Sequence, residues 1–434
     1  MSAARSVDKS TVDWHAVWCR GMSGAVVGRR LALAAALCLA GTGCGGSGTT
    51  LPAATVLTSS DGSSVATIET TPSTDSAAIA PAATATETST SLAAPTTTTQ
   101  VPGTSSWVNA TEGLVGLPSE CGNLSRVTAR PDRDMLITGI AQQGLWSTTG
   151  GTDAWSRLGM GPGSATITNR ATTIIFDPAD PAIFWESGIY NGGGVYRTDD
   201  NGVTFRQLGD LTHVEALSVD LSDPARNTLL ATVHETANTF LSSNGGKTWK
   251  DISSGLPADI GYATGPVVID HQTFLLGSSN SAGSTLLRST DAGISWTPVY
   301  GGGVVGGPLR AQSDGTMYWL LESGDGIITS IDNGQTWALI APASATQPTA
   351  SALALLELPD ARLAAISGDR VIISGDRGAS WTAVGPETPI HSTGMIYSPF
   401  RKAFYIWHFE CDFSTDDPIQ ADSIMRLDFD PTAG

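Results

Sequence analysis

One element recurs along this chain at a nearly fixed interval, and that interval restricts the fold more than any other feature. Residues 288–296 read RSTDAGISW, and the pattern Ser-x-Asp-x-Gly-x-x-Trp returns in SIDNGQTW (Ser330 to Trp337) and SGDRGASW (Ser374 to Trp381). TDDNGVTF (Thr198 to Phe205) starts with Thr and ends with Phe. Ser242 to Trp249 carries Asn244 in place of Asp, and Ser147 to Trp155 is degenerate, with Thr149 at the Asp position and one extra residue. The closing aromatics Trp155, Phe205, Trp249, Trp296, Trp337 and Trp381 are spaced 50, 44, 47, 41 and 44 residues apart. A period of that length marks an array of repeated supersecondary units.

Short runs surround each copy. In the third unit they are VEALSVD, TLLATVH, TFLSS and WKDIS, and in the fourth GPVVID, TFLLGSS, TLLRST and WTPVY. Each is rich in β-formers and is bounded by Gly, Asn, Asp or Ser. Four antiparallel strands every ~45 residues predict a β-propeller. After Trp381 come three strands, HSTGMIYSP, KAFYIWHF and SIMRLDF, without a box or a fourth. The segment Trp107 to Leu114 copies Trp249 to Leu256 and supplies the missing strand. The expectation is therefore all-β: a seven-bladed propeller over 107–434 with six box turns, closed by the N-terminal strand.

The box falls between the third and fourth strand of each blade. Gly there supplies positive φ, Asp accepts hydrogen bonds from turn amides, Ser adds a polar tie and Trp packs between sheets. Asp200, Asn244, Asp291, Asp332 and Asp376 are its structural polar residues. The motif resembles the Asp-box, or BNR repeat, of sialidases, xyloglucanases, sortilin-type receptor domains and photosystem II assembly-factor propellers. In those families the box is a peripheral structural turn, so the resemblance implies a fold and leaves function open.

The N-terminal quarter is different in kind. LALAAALCLAGTG (31–43) follows Arg29 and Arg30, is too short to span a bilayer and reads as a secretory signal. Cys44, followed by GGSG, resembles a bacterial lipoprotein acylation site, although Gly41 stands where Leu is preferred; ordinary cleavage nearby is the alternative, and Met22 is a second possible start. Residues 1–44 thus form the signal segment. From 45 to 106 the chain is mostly Thr, Ser, Ala, Pro and Gly and reads as a disordered stalk. Export leaves Cys121 and Cys411, expected to pair in an oxidising compartment. With 23 basic and 41 acidic residues the formal net charge is −18, which excludes nucleic acid as a partner. Membrane contact is expected only through a lipid on Cys44.

Function is expected on the opposite face, where the second–third loops and blade crossovers gather. The candidates there are Glu186, Tyr190, His213, His234, Glu235, Tyr262, Glu322 and His391. A sialidase needs three arginines, a tyrosine–glutamate pair and an acid. Arg126, Arg170 and Arg310 could approach the mouth, but Thr128-Ala129-Arg130-Pro131 is a poor match to that family's arginine motif. Xyloglucanase-type enzymes need two propellers, and this chain has one. No motif calls for a metal or cofactor: the Gly192–Gly194 and Gly301–Gly303 runs lack phosphate-loop spacing, and His234-Glu235 lacks a second zinc histidine. The expectation is an exported, lipid-anchored binding or assembly module for an extracellular protein or glycan. The alternative is a glycoside hydrolase using carboxylates such as Glu186 with Glu235 or Glu322.

Overall fold

The computed structural model describes residues 106–120, 124–280, 283–324, 326–340, 348, 354–408 and 417–432. The signal segment with Cys44, nearly all of the 45–106 stalk, and both Cys121 and Cys411 lie outside the described residues.

Seven four-stranded antiparallel sheets form the blades of a propeller. Blade 1 is Leu124–Ala129, Met135–Ile140, Gly144–Thr149 and Ser156–Arg157. Blade 2 is Arg170–Phe176, Phe184–Ile189, Val195–Thr198 and Arg206–Gln207, and blade 3 is Val214–Val219, Leu229–Val233, Thr239–Ser242 and Lys250–Asp251. Blade 4 runs from Tyr262–Val268 to Thr297–Tyr300, blade 5 from Leu309–Arg310 to Ala338–Ile340, and blade 6 from Leu355–Glu357 to Thr382–Val384. Blade 7 joins Gly394–Ser398, Ala403–Trp407 and Ile424–Asp428 to Val108–Asn109 from the other end of the chain. There Val108 pairs with Arg426 and Asn109 with Met425. A further short ladder couples Pro118–Ser119 to Asp417–Pro418. Helix among the described residues is confined to short 3-10 turns, among them Ser164–Thr166 and Ser253–Gly255.

The core follows from this architecture. A blade is sandwiched between two neighbours, so both faces of its inner strands need apolar side chains. Met135–Ile140, Phe184–Ile189 and Ala403–Trp407, each a second strand, are buried along their whole length. The buried apolar residues divide into seven clusters, one per seam between successive blades. Leu124, Val127 and Leu136 of blade 1, for instance, pack on Tyr405, Trp407 and Ile424 of blade 7.

Five box turns, in blades 2 to 6, share one hydrogen-bond pattern. In blade 4, Ser289 Oγ donates to Asp291 Oδ1 at 2.8 Å, Gly293 N donates to Ser289 Oγ at 2.9 Å, and Ser295 N donates to Asp291 Oδ1 at 2.9 Å. Ala292 and Gly293 are both left-handed, with φ of 58° and 80°. A Cβ on Gly293 would also sit 2.4 Å from Ile252 Cδ1, so side chains are barred there twice over. The box carboxylates are accessible rather than buried as acceptors: Asp291 and Asp332 are half-exposed and Asp376 is exposed. Their hydrogen bonds hold Asp332 down to about 2, its Thr336 hydroxyl partner being the main cause.

Blade 1 lacks the carboxylate and is held from outside. Arg401, on blade 7, donates Nη1 to Thr152 O at 2.7 Å and Nη2 to Thr148 O at 3.2 Å. It also pairs with Asp134 at 2.5 Å and Asp153 at 3.4 Å, with 5% of its side chain exposed. The ring seam between blades 7 and 1 thus carries a guanidinium clasp where blades 2 to 6 carry a self-contained turn.

Candidate functional site

The site is built where three blades present loops side by side. Tyr190 and Asn191 begin the second–third loop of blade 2, and Gly193 N closes it onto Tyr190 O at 2.6 Å. His213 ends the crossover into blade 3, and its carbonyl accepts from His234 N at 2.8 Å in that blade's second–third loop. Tyr190, Asn191, His213 and Glu235 all adopt positive φ, at 55°, 40°, 53° and 57°. None is glycine, and left-handed backbone at such residues is a cost sustained by its surroundings, often at functional loops.

The side chains form a connected array. Tyr190 Oη lies 2.8 Å from His234 Nε2, and His234 Nδ1 is hydrogen-bonded to Glu215 Oε2. Glu235 Oε1 stands 3.6 Å from His234 Nε2. The Tyr190 ring meets His213 and His234 edge-on, with centroids 5.6 and 5.2 Å away. Arg170 places its guanidinium carbon 5.6 Å from the Tyr190 ring centroid, and Asn191 bonds Glu120. His234 and Glu215 keep only 18% and 16% of their side chains exposed.

Burial and charge work together on these groups. Burial lowers Arg170 below the usual guanidinium range, and Tyr190, Glu120 and Glu215 oppose it. Burial, with the Glu235 carboxylate behind it, raises the Tyr190 phenol. Tyr262, at the start of blade 4, is raised by burial and by Glu215. Neither phenol is an ionised nucleophile at neutral pH.

Glu215 owes its direction to a β-bulge. The register of blade 3's first strand shifts between Val214 and Ala216, leaving Glu215 as the extra residue. Blades 1 and 2 bulge at the same place, between Leu124 and Arg126 and between Ala171 and Thr173. Their extra residues are hydroxyls that tie to the next blade: Ser125 Oγ donates to Ala171 O at 2.6 Å and Thr172 Oγ1 to Val214 O at 3.1 Å. A carboxylate cannot donate that bond. Blade 3 gives up the tie and uses the position to face His234.

Tyr190, His213, His234, Glu235 and Tyr262, picked from the sequence as loop residues, therefore come together, and Glu215 and Glu120 join them. Arg170, weighed earlier only as part of an arginine clamp, also belongs here. The signal for Glu215 was a charge at the place where blades 1 and 2 carry Ser125 and Thr172. Glu322 and His391 belong to other loops: Glu322 is exposed and accepts from Ser284 Oγ at 3.0 Å, while His391 lies 6.2 Å, ring to ring, from His408. Glu186 requires correction. It is no loop residue but sits inside the second strand of blade 2, fully buried, with Asn169 Nδ2 at 3.3 Å. Burial pushes it up to about 8, so it is protonated at neutral pH and cannot serve as a surface carboxylate. Among the described residues no three His, Cys, Asp or Glu are grouped to hold a metal ion. Two shallow clefts of about 240 and 290 Å³ lie at the outer blade edges, one against Arg401 and Asp428 and one against Arg197 and Phe205; neither includes the array.

No family model and no curated protein matches the chain in sequence. Solved structures do match in shape. The Niastella koreensis GH74 enzyme aligns with a TM-score of 0.52 at 16% identity, covering 76% of this chain and 54% of its own. The GH74 xyloglucanase of Xanthomonas campestris aligns at 0.50 and 18% identity, covering 70% and 52%. The extracellular domain of a one-component-system protein from B. thetaiotaomicron aligns at 0.50 and 10% identity, covering 74% and 40%. The chain thus spans about half the length of the GH74 proteins. At these identities the likeness establishes the propeller fold, the one implied by the box repeats.

Proposed function

We propose that this chain is an exported recognition module that captures an extracellular glycan or protein on the loop face of blades 2 to 4. The carrying observation is the Tyr190–His234–Glu215 array, in which three polar side chains from two blades are pre-set by one another's hydrogen bonds. Fixed donors and acceptors beside aromatic edges favour selective binding, because little side-chain freedom is lost when a ligand arrives. The N-terminal signal and Cys44 support export and tethering to the cell envelope, and a neighbour described as an extracellular domain agrees with that setting.

Glycoside hydrolysis is the second reading, favoured by Glu235 standing 3.6 Å from His234 and 54% exposed. Against it, Glu215 is engaged by His234, Glu322 by Ser284, and Glu186 is interior. The deciding experiment screens the secreted protein against a glycan array, envelope proteins and chromogenic glycosides, with Tyr190→Phe, His234→Ala and Glu235→Gln in parallel. Binding lost in these variants at unchanged melting temperature supports recognition. Chromophore release that depends on Glu235 supports hydrolysis instead, and variants that bind like the wild type would sink the site.

A further inference from the structure

The hydrogen-bond chain also fixes which kind of chemical group the array can receive. An ionised carboxylate offers lone pairs and no hydrogen. Glu215 Oε2 contacts His234 Nδ1, so Nδ1 carries the imidazole proton. In the neutral ring Nε2 is then a lone pair, and the hydrogen in its 2.8 Å contact with Tyr190 must be the phenol's own. Tyr190 has only that one hydrogen. What its oxygen has left is acceptor capacity alone. Glu235, 54% exposed and 3.6 Å from Nε2, adds more lone pairs beside it.

Charge narrows the class further. Glu120 and Glu215 bear on Arg170, and Glu235 bears on Tyr190, so the array holds three carboxylates to one guanidinium. A carboxylated, sulfated or phosphorylated ligand would meet acceptors and like charge. A plain hydroxyl could donate but would gain nothing from the field. An ammonium donates up to three hydrogens, is attracted by the carboxylates and sits well against aromatic rings. We infer that Glu215 is a positioning residue that locks His234 as the Nδ1–H tautomer, making Tyr190 an acceptor, and that the group seated at Tyr190 and Glu235 is a protonated amine of the kind carried by amino sugars. This rests on the recognition reading for the existence of a ligand, and the tautomer lock stands apart from it.

The test has two arms on the full chain. Long-range proton–nitrogen spectra of ¹⁵N-histidine-labelled protein separate the two neutral tautomers, with His234 assigned by its loss in His234→Ala. At mildly alkaline pH the ring is expected as Nδ1–H. Glu215→Gln, whose amide can donate as well as accept, shifts it toward Nε2–H; should that variant fail to fold, Tyr190→Phe tests the other end of the chain, lowering the Nδ1–H fraction. An Nε2–H ring in the wild type, or a tautomer unmoved in the folded variants, overturns the lock. In the second arm, glucosamine oligosaccharides and their N-acetylated counterparts are titrated. The free amines are expected to bind about tenfold tighter, and to lose about tenfold in Tyr190→Phe, the scale of one hydrogen bond to a charged group. Equal binding of both forms, or of neither, overturns the amine assignment whatever the spectra show.

Discussion

At the outer turn of blade 3, Asn244 Oδ1 accepts from Thr248 N at 3.0 Å, and at the outer turn of blade 5 Asp332 does the same for Thr336 at 3.0 Å. At the other end of the same strands the two blades have nothing in common: blade 3 carries the Glu215–His234 pair, blade 5 an exposed Glu322 against Ser284. The box tolerates Asp or Asn because only its acceptor matters, and the turn is remade with each blade. The loops differ because nothing in the propeller requires them to agree. Repetition in this chain therefore marks what the fold needs. Departure from repetition, as when a hydroxyl tie becomes Glu215, marks where selection acted on something else.

The comparison can be broken in four ways. The largest effect is expected from Arg401→Ala, which strips the blade 1 turn of its external clasp and takes the guanidinium from Asp134, while Asp153 keeps Arg426 and Tyr405. Removing one partner of a buried ion pair typically costs about 3–5 kcal/mol, so thermal melting should fall well below that of any box variant. A small change would mean that the degenerate turn supports itself.

Next is Glu186→Gln. The folded carboxyl titrates at about 8, whereas an unfolded glutamate ionises near ~4.3. The folded state holds the proton more tightly, so stability declines as pH rises through that interval and levels off above it. Gln has no such titration, and the variant should be the more stable one above neutrality. Denaturant melts at acid, neutral and alkaline pH give the answer; parallel pH profiles for the two proteins would show that the interior is wetter than it looks.

A smaller effect is expected from Asp332→Asn, since blade 3 already uses Asn. Here the shift runs the other way: with the folded carboxyl held at about 2, the stability it gives is present above ~3.9 and is lost as pH falls toward 2. The wild type should lead by a little at neutral pH, and the lead should vanish in acid. The smallest effect on stability belongs to Glu235→Gln, within about 0.5 kcal/mol, although ligand capture should suffer most there. A loop variant that melts far below the wild type would erase the distinction drawn between the two ends of the blades.

The propeller was legible because its evidence is periodic: aromatics at regular intervals flanked by β runs admit few other folds. The array was only partly legible. Tyr190, His213 and His234 stood out as polar and aromatic residues between strands. Glu215 did not, because its direction depends on a bulge, and a register shift leaves no mark in a single strand's pattern. Glu186 misled for the opposite reason: Trp-Glu-Ser-Gly reads as a loop, yet Phe184–Ile189 is a strand with both faces buried. A strand of that kind has no alternation to read, so polarity alone spoke, and it spoke wrongly.

Blade 7 draws Val108 and Asn109 from one end of the chain and their partners Arg426 and Met425 from the other. During synthesis the outermost strand emerges first and must wait for the strand it pairs with. At ~5–20 residues per second that wait is roughly 15–60 s. Blades 1 to 6 can assemble their mutual seams during this time, but blade 1 keeps one face open until the last sheet arrives, Arg401 with it. Completion of the ring is then a single late event, and the nascent chain is at its most sticky just before it.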